Sequence, residues 1–196
     1  MIAAAVVACG ALSGCSDDET EPDSGLPSKS ELTESTPASP TASDPTPSDP
    51  TPSGPQEPPL PAAAKSPGKA GAKAFVAYYI KLLNYASWTG DTAAVRAYGQ
   101  GCRGCRADAE LFETTYRKGG WFKGGEWRPV PSSWIVLPRH TGYFVGLNID
   151  AAKGLQKPRR DGTVTRFLAE RIHRDFHLAR DGQAWRITYM EAEIEL

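Results

Sequence analysis

Apolar positions divide the chain into three stretches. Residues 2–12 are almost wholly small and apolar. Residues 16–69 show no apolar period and contain no Phe, Tyr or Trp. From residue 70 onward apolar residues recur, first at helical spacing and then in alternation. Phe75, Tyr79, Leu82, Leu83 and Ala86 form one stripe of a helix expected over about 71–88, widened by Val76 and Ile80. Thr89-Gly90-Asp91 stops it, with Asp91 expected to cap a short helix over about 92–98. A third helix is expected to end near Lys118, burying Leu111, Phe112, Thr115 and Tyr116, with Gly119-Gly120 beyond it. The period then shortens to two. Strands are expected over 133–137, 143–149, 164–179 and 184–194, with Asp181-Gly182 as the hairpin turn before the last. Trp185, Ile187 and Tyr189 would share one face. Helices followed by about four antiparallel strands is an α+β pattern.

Composition explains why the middle stretch lacks a period. Residues 16–69 hold 13 of the 17 prolines, with ten acidic and three basic residues. Such a segment cannot bury enough apolar surface to offset its ordering entropy. It reads as an extended acidic tether, with an Asp-Pro-Thr-Pro-Ser unit that recurs and Ser/Thr sites that resemble glycosylated stalks. The 127 residues of 70–196 suffice for one domain with a core. That domain carries 19 basic and 13 acidic residues, a net of +6. Along the chain these charges read as dispersed, which suits an anionic envelope surface better than nucleic acid.

The first stretch has the length of a signal-peptide apolar core and is too short to cross a bilayer. It ends in Leu12-Ser13-Gly14-Cys15, which resembles the lipobox of bacterial lipoproteins. That resemblance implies cleavage before Cys15, acylation of its thiol and attachment to the outer face of the cell membrane. No Lys or Arg precedes Cys15, a departure from the usual basic start. The organisation expected is therefore a signal over 1–15, a tether over 16–69 and a globular domain over 70–196.

Two further resemblances concern the domain. The element order is similar to the cystatin-like cone of nuclear-transport-factor-2-like (SnoaL-like) and polyketide-cyclase-like domains, which implies three N-terminal helices packed on a curved antiparallel sheet. Ala74-Phe75-Val76-Ala77-Tyr78-Tyr79, Thr89-Gly90-Asp91 and Cys102-Arg103-Gly104-Cys105, after a Ser/Thr/Pro tether, resemble a family of actinobacterial lipoproteins of unknown function. That family implies a location and a fold but no activity.

Candidate chemistry is sparse. Once Cys9 is removed and Cys15 acylated, Cys102 and Cys105 remain as a pair in an oxidising compartment, and a structural disulfide is expected. Thiol–disulfide exchange is the alternative, since a helix start, Arg103 and Arg106 would favour a thiolate. His173, Asp175 and His177 alternate on one strand face beside Arg171. Leu168, Ile172, Phe176 and Leu178 claim the other face as core, so the trio is expected to face outward and hold no catalytic metal. Tyr78, Tyr85 and Tyr143 are candidates for a pocket mouth, with Asp150 and Glu170 as the acids that an isomerase of the ketosteroid type would need there. Lys157-Pro158-Arg159-Arg160-Asp161 reads as a solvated basic loop. No catalytic residue is assigned, and no cofactor or nucleic-acid partner is expected. The expected role is a lipid-anchored binding or scaffold module of the envelope, with an unidentified envelope protein or small molecule as partner. A cyclase- or isomerase-type pocket enzyme and a thiol oxidoreductase are the alternatives.

Overall fold

The computed structural model describes residues 54–191, all within a unit spanning Ser48–Leu196. Cys15, the signal, the tether up to residue 53 and the end of the expected last strand lie outside the described residues. Four helices precede eight strands: α1 (Ala62–Lys65), α2 (Gly68–Thr89), α3 (Ala93–Tyr98), α4 (Arg103–Arg117), β1 (Trp121–Gly124), β2 (Trp127–Pro129), β3 (Ile135–Arg139), β4 (Gly142–Ala151), β5 (Gly154–Lys157), β6 (Thr165–Phe167), β7 (Glu170–Asp181) and β8 (Ala184–Met190). The fold is α+β and the strand pairing is antiparallel throughout. The strands make two sheets rather than one of about four. β1, β5 and β6 form a small sheet in the order β1-β5-β6. In the larger sheet β2 and β3 pair with opposite halves of β4, followed by β7 and β8.

α2 is the central element. Its expected stripe is buried, and so are Ala72, Val76, Tyr78 and Ile80, so apolar contact covers most of its circumference. It packs against α1, α3 and α4 and across β1, β2, β3 and β4. Inward residues of the large sheet, Val145, Leu147, Ile149, Phe176, Leu178, Trp185 and Ile187, complete the core. Gly90 ends α2 in the left-handed conformation (φ 77°), its N–H donating to the Ala86 carbonyl. A side chain there would run into the Tyr116 ring, so both backbone freedom and space require glycine. Thr92, not Asp91, occupies the cap position of α3; Asp91 instead accepts the Ala93 N–H at 3.1 Å. α4 buries Cys105, Ala109 and Thr115, while Leu111 is exposed and Phe112 and Tyr116 are half-buried.

Helix α1 and the start of α2 fall inside the stretch read as tether. Ala64 of α1 is buried, and the carbonyl of Ser66, just after α1, accepts the Trp185 indole N–H at 3.0 Å. Gly71 passes so close to that carbonyl that no Cβ fits.

Three strand expectations change. The long strand over 164–179 divides: β6 joins the small sheet and β7 the large one, and the chain changes sheets at Leu168-Ala169. That change ends the two-residue alternation, so Leu168 is 76% exposed and not core. Arg174 takes an inward position between Ile172 and Phe176 and is buried. On β8 a register shift between His177 and Leu178 pairs His177 with Tyr189 and Leu178 with Ile187. Thr188 is the extra residue, so Tyr189 turns outward while Trp185 and Ile187 stay inside.

One buried polar contact joins helix to sheet. The Asn84 amide of α2 donates to the Trp127 carbonyl and accepts the Trp127 N–H, both at 2.9 Å. Asn84→Ala would leave both β2 backbone groups without these partners, and an unmade buried hydrogen bond is costly. It is expected to lower stability by roughly 2–4 kcal/mol, read as a shift of the urea midpoint.

A second polar contact ties α3 to α4. Arg96 donates to Glu113 at 2.6 and 2.7 Å, and Thr92 donates to the same carboxylate. These partners, Arg96 first and then Thr92, hold the Glu113 carboxyl down at about 2 instead of 4.5. A depressed acid stabilises the fold above its unfolded pKa and loses that contribution as pH falls through the folded one. The contribution is therefore complete above about pH 4.5 and lost towards pH 2. Over that window Glu113→Gln should show a flatter loss of stability than the wild type in denaturant titrations.

Candidate functional site

A cavity of about 290 Å³ lies where the two sheets and two helices meet. α2 supplies Leu83, Asn84 and Ser87, and α4 supplies Asp108, Leu111 and Phe112. From the small sheet come Phe122 of β1 and Phe167 of β6; from the large sheet come Trp127 of β2 with Glu170 and Arg174 of β7. Gly124 and Gly125 line it where the chain passes between sheets. Four aromatic rings thus enclose a space that also holds two carboxylates and one guanidinium. Phe112 and Phe122 stack edge-on at 5.5 Å. The Arg174 guanidinium lies 5.0 Å from the Trp127 ring centre and donates to the Glu191 carbonyl at 3.1 Å. Gly154 carries no side chain because the Phe167 ring occupies that place.

This mixture of apolar walls and a few convergent charges is the usual make-up of a small-molecule pocket. The volume is at the lower end of such sites, suited to a compact ligand.

The family of unknown function DUF6318 matches residues 45–191, a span that takes in every described element. The chain belongs to that family. Among solved structures, the intermembrane space region of the chloroplast protein ARC6 is similar at 11% identity and a TM-score of 0.48, over 63% of this chain and 95% of that one. No curated protein matches.

The three tyrosines expected at a pocket mouth do not meet. Tyr78 is buried against Phe75 and Tyr98, and burial first and Tyr98 second push its hydroxyl pKa up. Tyr85 lies beside a separate shallow hollow with Trp88 and Glu126, donating to Asp91 at 3.1 Å. Tyr143 packs edge-on against Trp185 at 5.8 Å. None of them lines the aromatic cavity. Of the two acids, Glu170 does line it, whereas Asp150 is exposed and bound to Arg171 at 2.6 Å across the β4–β7 ladder. That arginine holds the Asp150 carboxyl below the usual range.

His173, Asp175 and His177 lie on the outer face of the large sheet, opposite Phe176 and Leu178. His173 contacts Asn148 at 2.9 Å and Asp175 at 3.0 Å. His177 sits instead between the Phe144 and Tyr189 rings. The trio does not converge, and among the described residues no group of three His, Cys, Asp or Glu is placed to hold a metal ion. In the basic loop, Arg159 pairs with Asp161 at 3.1 Å and the Arg160 N–H donates to the Lys118 carbonyl.

Sequence reasoning missed Asn84, Asp108, Phe122, Trp127, Phe167 and Arg174 as cavity residues. Two of them carried a signal. Asn84 is an amide next to the apolar stripe of α2, and Arg174 interrupts an alternation of core residues.

Cys102 and Cys105 are bonded, with Cα atoms 5.3 Å apart, and both are buried. Cys102 also caps α4, its sulfur accepting the Cys105 N–H at 3.1 Å. Both cysteines are almost wholly buried, which slows attack by an external thiolate and opposes the oxidoreductase alternative. A loop this short gives about 2 kcal/mol on the loop-entropy model. Reduction of the bond should therefore lower the unfolding free energy by about that amount, read from denaturant titrations with and without reductant, and leave the fold intact. Free Cys102 and Cys105 in non-reducing peptide mapping would show that the bond does not form.

Proposed function

We propose that this protein is a lipid-anchored, extracytoplasmic binding module that takes a small ligand into the cavity between its two sheets. The cavity carries the reading: four rings and three charged side chains line one half-open space. The tyrosines that an isomerase-type mechanism would use lie elsewhere, which favours binding over turnover. The lining charges, Asp108 and Glu170 against Arg174, suit a compact ligand with an aromatic or apolar body and a polar head. Helices followed by antiparallel strands, with α2 laid across the large sheet, support the cone-like fold of nuclear-transport-factor-2-like domains for this family. Anchoring rests on the Leu12 to Cys15 pattern, and the acidic Pro-rich segment then serves as the spacer between membrane and domain.

Two measurements test the two halves of the reading. In cells, Cys15→Ala should abolish incorporation of a labelled fatty acid; unchanged labelling refutes the anchor. In vitro, the chain equilibrated with a small-molecule extract of the envelope should carry a bound compound in native mass spectrometry. Glu170→Gln, at an exposed strand end, and Phe167→Ala should reduce its occupancy. A bare wild-type chain, or equal occupancy in both variants, refutes the cavity as the site.

A further inference from the structure

The positive charge of the domain is not dispersed once the chain is folded. Segments 117–124 and 152–169 contain eight basic residues and one acid, Asp161, which pairs with Arg159. Apart from Arg117, the last residue of α4, both segments belong to the small sheet and its connections. Its inner face carries Phe122 and Phe167 to the cavity. Its outer face is set by register. Lys123, Leu155 and Arg166 form one row across the three strands, and Trp121 pairs with Lys157 in the next row. Lys123, Leu155, Arg166 and the adjacent Lys153 enclose a shallow depression with no acid in its lining. Among the described residues, Lys123, Lys153, Lys157 and Arg166 form no ion pair. Apolar groups stand exposed beside these cations: Leu168 is 76% and Val164 44% accessible, one at each end of β6. The Trp121 ring lies 4.7 Å from the Lys123 ammonium.

We propose that this outer face docks on an anionic phospholipid surface. Unpaired cations match the headgroup charge, and each is worth a substantial factor in partitioning near such a surface. Leu168, Val164 and the flanking Trp121 match the boundary between headgroups and acyl chains, where apolar and aromatic side chains are stabilised. A soluble polyanion would satisfy the charges but leave Leu168 and Val164 in water, which favours the bilayer. Docking this way places the small sheet between membrane and cavity. The proposal stands independently of acylation at Cys15.

Hydrogen exchange of the full chain on vesicles tests it. An apolar segment such as residues 2–12 would partition into neutral and anionic vesicles alike, so the readout is taken at the strands. Phosphatidylglycerol-containing vesicles should protect 121–124 and 154–168, and phosphatidylcholine vesicles should not. High salt should reverse the protection. Lys123→Gln and Arg166→Gln, both exposed, should each weaken partitioning about fivefold, and Leu168→Ser should weaken it without changing the salt dependence. Equal protection on both vesicle types, no protection in these strands, or protection by polyphosphate alone would overturn the proposal. Fatty-acid labelling at Cys15 is read separately, so either failure leaves the other conclusion standing.

Discussion

The two hydrogen bonds between Asn84 and the Trp127 backbone are the contact on which the arrangement of the domain turns. β2 is three residues long and, among the described residues, pairs with β4 alone. Its free edge would otherwise present unpaired backbone groups in a partly buried place, which is costly. The Asn84 side chain supplies a donor and an acceptor in the spacing of a peptide group, so α2 acts as the missing strand at that point. This fixes the helix against the large sheet in rotation as well as distance. It also sets Trp127, and with it Arg174, on one wall of the cavity. Apolar packing alone holds α2 to the sheet but does not specify such a register, because hydrophobic burial is non-directional.

Local pattern revealed the elements whose burial is uniform along their length. α2, α3 and α4, β4 and β7 each follow one period within a single helix or sheet, and each was legible. The errors fall where the chain changes partner. At Leu168-Ala169 it leaves one sheet for another, and the alternation that assigned Leu168 to the core has no meaning across that point. At Thr188 an extra residue inverts the facing of Tyr189. β1, β2 and β5 are three or four residues long, too short for a period to show. Because β1, β2 and β6 supply much of the cavity wall, the site was less legible than the fold. The long elements contribute Leu83, Phe112 and Glu170, whereas Phe122, Trp127 and Phe167 come from the short strands.

Charge followed the same logic in reverse. In the linear sequence the basic residues are separated by turns and glycines, and no run stands out beyond Lys157 to Arg160. Antiparallel pairing brings Lys123 level with Arg166 although 43 residues separate them along the chain. Net charge thus said how much positive potential the domain has, and topology decided where it is.

The small sheet is therefore the element on which both proposed activities depend, one on each face. Alternation along its strands sends Phe122 and Phe167 inward and Lys123 and Arg166 outward. Gly124 and Gly154, paired opposite each other, keep the sheet thin where Phe167 crosses it, since a side chain at Gly154 would collide with that ring. The proposed ligand wall and the proposed docking face therefore lie on opposite sides of one three-stranded sheet. Were binding at one face to shift the sheet, thermodynamic linkage would require the other face to respond by the same factor.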